Sequence, residues 1–160
     1  MIEIKNIYKK FGKLEVLNNI NLSFKKGECI ALIGPNGCGK TTLIKSILGM
    51  VIPTKGDILF DQKSILKEFK YRENIGYMPQ IGRYPDYMTV GQIIEMIKKI
   101  RNSEQVLDED LIKSFELEKI VDKQMRTLSG GTTQKVSATL AFLFNPEVLI
   151  LDEPTAGLDP

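Results

Sequence analysis

The stretch GPNGCGKT, Gly34 to Thr41, restricts the folds open to this chain more than any other feature. It follows CIALI, Cys29 to Ile33, which is apolar throughout and predicts a strand buried on both faces, as in a parallel sheet. After it, Leu43, Ile44, Ile47 and Leu48 recur at helical spacing, and Gly49 supplies a stop. Strand, glycine-rich turn and helix in that order form a phosphate-binding loop. The glycines let successive backbone N–H groups face one centre without Cβ clashes, and the helix dipole adds positive potential there. Lys40 brings a mobile charge for β- and γ-phosphates, and the Thr41 hydroxyl can coordinate Mg²⁺.

A second chemical stretch lies near the other end. VLILDEP, Val148 to Pro154, reads as a fully buried strand that ends in two acids. Asp152 is placed for a magnesium shell, through water, because Mg²⁺ keeps much of its hydration and takes few carboxylates. Glu153 can orient and deprotonate an attacking water. Gln80, after the strand-like NIGYMPQ, is a candidate for Mg²⁺ or the nucleophilic water, although a loop glutamine is commonly just exposed.

Composition limits the alternatives. A chain of 160 residues suits one domain with a real core. Its 22 basic and 20 acidic residues nearly cancel and are dispersed, so no electrostatic footprint for nucleic acid or acidic lipid stands out. MIEIKNIYKK lacks the features of a secretory signal, and no apolar run reaches the ~18 residues of a membrane span, which predicts a cytosolic chain. Cys29 and Cys38 lack metal or redox spacing and read as free thiols. With no histidine, acid–base work falls to carboxylates, lysine or polar groups.

Alternating apolar positions at Ile2 and Ile4 and from Val16 to Phe24 predict strands of a partly exposed sheet. PTKG, Pro53 to Gly56, reads as a turn before the strand DILF. Val90, Ile93, Ile94, Ile97 and Ile100 follow helical periodicity, and Leu111, Ile112 and Phe115 repeat it behind an Asp108 cap. The helix from Gly130 places Val136, Leu140 and Leu143 on one face. One domain over 1–160 is expected, with an α/β core from 1–84 and 145–160 and a helical lobe from 85–144.

RTLSGGTTQKV, Arg126 to Val136, offers a second anion site, with Ser129 to cap a helix whose Gly130 and Gly131 bare their N–H groups. Together, GPNGCGKTT, Gln80, LSGG at Leu128 to Gly131, VLILDEP and AGLD at Ala156 to Asp159 make the whole chain resemble the nucleotide-binding subunit of an ATP-binding cassette (ABC) transporter. The fold implied is a P-loop NTPase α/β core, mostly parallel, with an N-terminal antiparallel β-subdomain and an inserted helical lobe. Gly34, Pro35, Asn36, Gly37 and Cys38 would line the phosphates with Gly39, Lys40, Thr41 and Thr42. Catalytic roles fall to Glu153, Gln80 and Lys40, and Mg²⁺ contacts to Thr41, Gln80 and Asp152. Phe11 would stack on adenine, or simply pack at a strand end. In this family two copies pack head to tail, so Ser129, Gly130 and Gly131 would close over the partner's ATP.

The sequence departs from the family pattern at Thr132, where glutamine is usual, and at Cys38, where serine is common. A switch histidine is expected beyond AGLD, the family's D-loop, which suggests a fragment of a longer subunit, incomplete at its C-terminus, that binds MgATP but turns it over slowly or not at all. The resemblance leans toward exporter-like ATPases, including those of copper-enzyme maturation, peripheral to the cytoplasmic face of the membrane and docked on transmembrane permease subunits. Tyr84, Tyr87 and Met88 would help form that docking surface, or merely an exposed aromatic loop. Two alternatives stand: a soluble ABC ATPase acting on ribosomes, and a nucleotide-gated dimerisation module without turnover.

Overall fold

The alternation near the N-terminus becomes a four-stranded sheet in the computed structural model, which describes residues 1–66, 68–101 and 106–154. β1 (Ile2–Phe11) lies between β2 (Leu14–Phe24) and β3 (Lys55–Phe60), antiparallel to both, and the short β4 (Lys63–Ser64) completes the order β2-β1-β3-β4. β3 starts inside the expected PTKG turn, at Lys55. Ile2, Ile4 and Ile7 are buried, so the period of two slips between Ile4 and Ile7. Asn6 takes up the slip with a φ of 50°, donating from its backbone N to Asn21 Oδ1 at 2.9 Å and from its side chain to Asn19 Oδ1 at 3.1 Å.

α1 (Lys40–Ile47) buries Leu43, Ile44 and Ile47, and Leu48 follows them inward. It stops where predicted, with Gly49 at φ 67° and its N–H donating to Ser46 O at 3.0 Å. Tyr71 closes over this end, donating to Ile47 O at 3.1 Å with its ring 5.7 Å from that of Phe60. These elements belong to one compact unit, Met1–Arg72; Glu73–Pro160 forms a second.

The run Cys29–Ile33 is not the buried strand its composition predicts. It has no ladder partner among the described residues, and Ile33 is 92% exposed. An all-apolar run reports what both faces of a strand would need, but flanking strands must be present for it to be buried.

In the second unit, β5 (Ile75–Met78) and β6 (Val148–Leu151) run parallel, in register from Ile75 opposite Val148 to Met78 opposite Leu151. β6 is half-buried, not fully buried as predicted, because β5 is its one strand neighbour among the described residues; Leu151 is 39% exposed. The helical stretch holds α2 (Val90–Arg101), α3 (Asp110–Ser114), α4 (Gly130–Phe142) and two short 3₁₀ turns, Leu117–Ile120 and Met125–Thr127. Thr89 and Gln92 start α2 as a capping box, each side chain accepting the other's backbone N–H. The N-cap of α3 is Glu109, with no side-chain cap bond, and not the expected Asp108, whose Oδ1 accepts from Asp110 N at 3.0 Å from one residue earlier.

Val90, Ile93, Leu117, Met125, Val136 and Leu143 form the core of this unit, with Ile97, Ile112, Phe115 and Leu140 at its margin. Ile100 keeps the helical spacing but is 70% exposed. α4 lies so close to β5 that a Cβ on Gly76 would overlap Ala141 O. Arg101 ties the end of α2 to β5, donating to Glu73 O at 2.8 Å and Ile75 O at 3.1 Å over the Phe144 ring; burial lowers its pKa. Among the described residues, no helix is long and apolar enough to cross a membrane.

Candidate functional site

The loop from Gly34 wraps into the start of α1 through two left-handed glycines, Gly37 at φ 79° and Gly39 at φ 99°. Gly39 has no room for a side chain: a Cβ there would lie 2.9 Å from Val16 O and 3.0 Å from Leu17 Cδ2. It holds the N-cap position without a side-chain hydrogen bond, so the first-turn N–H groups of α1, at Lys40, Thr41 and Thr42, stay available to an outside acceptor. Lys40 Nζ curls over the loop onto Gly34 O (2.7 Å) and Pro35 O (3.1 Å). A phosphate would offer that ammonium a full negative charge in exchange for two carbonyl dipoles. Cys38 is a free, exposed thiol, and its Sγ sits 2.9 Å from where a Gly34 Cβ would be, so the glycine makes room for it.

In the second unit, the parallel ladder brings Gln80 and Glu153 together. Asp152 N donates to Met78 O at 2.9 Å, carrying the pairing of β5 and β6 one residue further. Asp152 is buried (5% exposed) and Glu153 exposed. Gln80 Nε2 then donates to Glu153 Oε2 at 2.6 Å, a short bond of the charge-assisted kind. Glu153 has a φ of 50°, a region that costs a non-glycine residue about 1 kcal/mol. Burial chiefly, and the Asp152 carboxylate secondarily, raise the pKa of neighbouring Tyr77. The donor types in each unit taken separately suit magnesium: in the second, the Asp152 carboxylate and the Gln80 amide oxygen are hard oxygen ligands, and in the first, Thr41 offers a hydroxyl.

The start of the helix after LSGG is capped as its residues predict. Ser129 has extended backbone and caps α4, its Oγ accepting from Thr132 N at 3.2 Å. Gly130 and Gly131 form the bare first turn. Thr132, the departure from pattern, places its Oγ1 2.9 Å from Ser129 Oγ and so shares the cap hydroxyl. Phe11 sits at the β1–β2 turn, 50% exposed, with Lys9 Nζ 4.9 Å from its ring centroid, a position open to stacking.

Two of the three residues expected to dock a partner, Tyr84 and Met88, are partly buried. Tyr84 hydrogen-bonds Ser137 Oγ at 2.8 Å and has its pKa raised by burial, while Met88 packs at the edge of the core. Tyr87 alone of the three is well exposed, at 73%, beneath the Arg126 guanidinium 4.8 Å from its ring. Ala156 to Asp159 lie outside the described residues. Sequence reasoning missed Gln134, whose Nε2 donates to Gln80 O at 3.1 Å. Its one signal was a neutral polar residue one turn into a helix leading from LSGG.

A family model described as "ABC transporter" matches residues 17–156. The chain is 40% identical over 162 residues to the zinc import ATP-binding protein ZnuC of Rickettsia conorii, covering 99% of this chain and 64% of that protein. Further curated relatives, 33% to 36% identical, are named for import of sulfate/thiosulfate or spermidine/putrescine, or for Nod factor export; the chain spans about half of their lengths. A solved ATP-binding subunit of an ABC transporter superposes with a TM-score of 0.88 at 30% identity, covering 99% of this chain and 68% of that one. The cassette MJ0796, in a dimeric post-hydrolysis state with ADP and Pi, gives 0.86 at 28% identity, covering 99% and 76%. The expected class, a P-loop NTPase cassette with an N-terminal antiparallel sheet and helices, agrees with these likenesses.

Proposed function

The chain belongs to the ABC transporter family, and on that premise we propose that it is the ATP-binding and ATP-hydrolysing subunit of a membrane transporter. The observation that carries this reading is the phosphate loop, with left-handed Gly37 and Gly39 opening α1 and Lys40 poised over Gly34 and Pro35. Lys40 leaves those carbonyls for the β- and γ-phosphates, and the first-turn N–H groups of α1 take the remaining phosphate oxygens. Phe11 stacks on adenine. Thr41, Gln80 and Asp152 would hold magnesium, which would supply charge neutralisation on the transferred phosphoryl group. Glu153 accepts a proton from the attacking water.

Each copy supplies Ser129, Gly130 and Gly131 to the nucleotide held by its partner, in a head-to-tail dimer at the cytoplasmic face of the membrane, docked on transmembrane permease subunits. A dimeric neighbour with ADP and Pi supports this arrangement. The relatives do not specify the exporter-like or copper-maturation expectation: most are named for import and one for Nod factor export. Names of both kinds occur at similar identity, so the reading is the transport ATPase common to both.

Phosphate release by the purified full-length protein tests it. Magnesium-dependent release that disappears in Lys40→Ala is the expected result; the absence of any release by the wild type, with ATP still bound, would favour the dimerisation module instead.

A further inference from the structure

The loop that follows β5 is fastened to α4, the signature helix that LSGG opens, at several independent points. Gln134 Nε2 donates to Gln80 O at 3.1 Å, and Tyr84 OH meets Ser137 Oγ at 2.8 Å. Gln134 and Ser137 are three apart on α4 and so lie on one face of it. Between those two bonds the loop comes close enough that a Cβ on Gly82 would overlap Ser137 Oγ. The fastening continues ahead of the helix, where Arg126 N donates to Asp86 O at 3.1 Å and Met125 N to Met88 O at 2.9 Å.

The backbone of Gln80 is therefore held by α4, while the carboxylate its side chain grips, Glu153, follows directly from β6. The contact between Gln80 and Glu153 thus joins a residue held by α4 to one that follows β6, within a unit where α4 also packs on β5 at Gly76 and Ala141.

We propose that Gln134 is a positioning residue for catalysis: it transmits the position of the signature helix to Gln80 and so sets whether Gln80 holds or releases Glu153. This rests on the reading of Glu153 as the base that accepts the water's proton. A ligand engaging the Ser129 end of α4 lies one helical turn from Gln134, so a shift of α4 toward that ligand draws Gln80 along with it. In a head-to-tail pair, the nucleotide in one pocket would thereby release the base of the other.

The test uses the full-length protein and two readouts. In steady-state ATP hydrolysis, Gln134→Glu, isosteric but without the N–H donor, and Gln134→Leu each lower kcat about tenfold at an unchanged KM. Gln134→Lys, which keeps a donor at the end of a flexible chain, recovers most of that loss. In a Gln80→Ala background Gln134→Leu has no additional effect, because its route is gone. An unchanged kcat, or the same loss in both backgrounds, overturns the proposal. The second readout is amide hydrogen exchange without nucleotide, which should quicken across Gln80 to Tyr84 in Gln134→Leu but not around Val90 and Ile93; unchanged exchange at the loop overturns the fastening whatever the turnover. A wild type that hydrolyses no ATP defeats the functional reading, and exchange then still decides the role of Gln134.

Discussion

Gln80 Nε2 and Glu153 Oε2 are 2.6 Å apart, so the residue that would orient the attacking water and the one that would deprotonate it hold each other. While that bond persists, one of the two carboxylate oxygens is engaged by an amide. Removing the charge and keeping the shape, Glu153→Gln, should cut kcat by at least about a hundredfold, the range of a lost general base, while MgATP binding changes little. Single-turnover phosphate release and equilibrium nucleotide titration on the same protein separate the two effects. A variant with near wild-type release would remove Glu153 from the chemistry.

Gly39→Ala should damage both folding and nucleotide binding. A methyl group there meets Val16 O at 2.9 Å and Leu17 Cδ2 at 3.0 Å, on a backbone with φ 99°. Strain of this kind costs on the order of 1–3 kcal/mol, so the unfolding midpoint should fall and nucleotide affinity with it. Gly37→Ala, where nothing lies within 4 Å of the added Cβ, carries only the backbone penalty and should be the milder of the two. Thermal melts of both variants give the comparison.

The start of the signature helix can be dissected by two conservative changes. Ser129→Ala removes the acceptor for Thr132 N and should cost about 1 kcal/mol in urea denaturation. Thr132→Val removes only the Oγ1 that pairs with Ser129 Oγ, keeps the backbone cap, and should cost less than about 0.5 kcal/mol. Equal losses would mean that the shared hydroxyl, not the backbone cap, secures this end.

How much of this was legible from the sequence depended on how local the determinant was. The start of α1 after Gly39, the Gly49 stop and the Ser129 cap are decided within a few residues, and each lies where spacing placed it. The apolar runs at Cys29–Ile33 and Val148–Leu151 misled because burial on both faces is a property of neighbouring strands, which composition cannot supply. Ile100 kept its helical period yet came out exposed, since α2 extends past the core that its middle covers. Gln134 was invisible because its partner, Gln80, stands far away in sequence and is reached only through the fold.

Alkaline unfolding offers a check on the buried tyrosine. Burial raises the Tyr84 phenol above its ordinary value of 10.0, against a smaller opposing effect from the Ser137 hydrogen bond. The unfolded chain then ionises first, so the contribution to stability is complete below pH 10.0 and is lost as pH rises through the folded value. Tyr84→Phe should flatten that decline, partly, because Tyr77 shifts the same way. Identical slopes in urea titrations across this range would indicate that Tyr84 is not buried in solution.

The central claim is that each catalytic pocket takes its phosphate loop from one chain and its signature helix from another, and mixing two inactive full-length variants tests it most directly. Lys40→Ala spoils only the loop and Gly130→Asp only the helix end, so each variant alone forms pairs with no intact pocket. A mixed pair regains one. Random exchange should then restore about a quarter of wild-type hydrolysis, since half the pairs are mixed and each carries one of two pockets. A mixture no more active than the sum of its separate components would contradict the account.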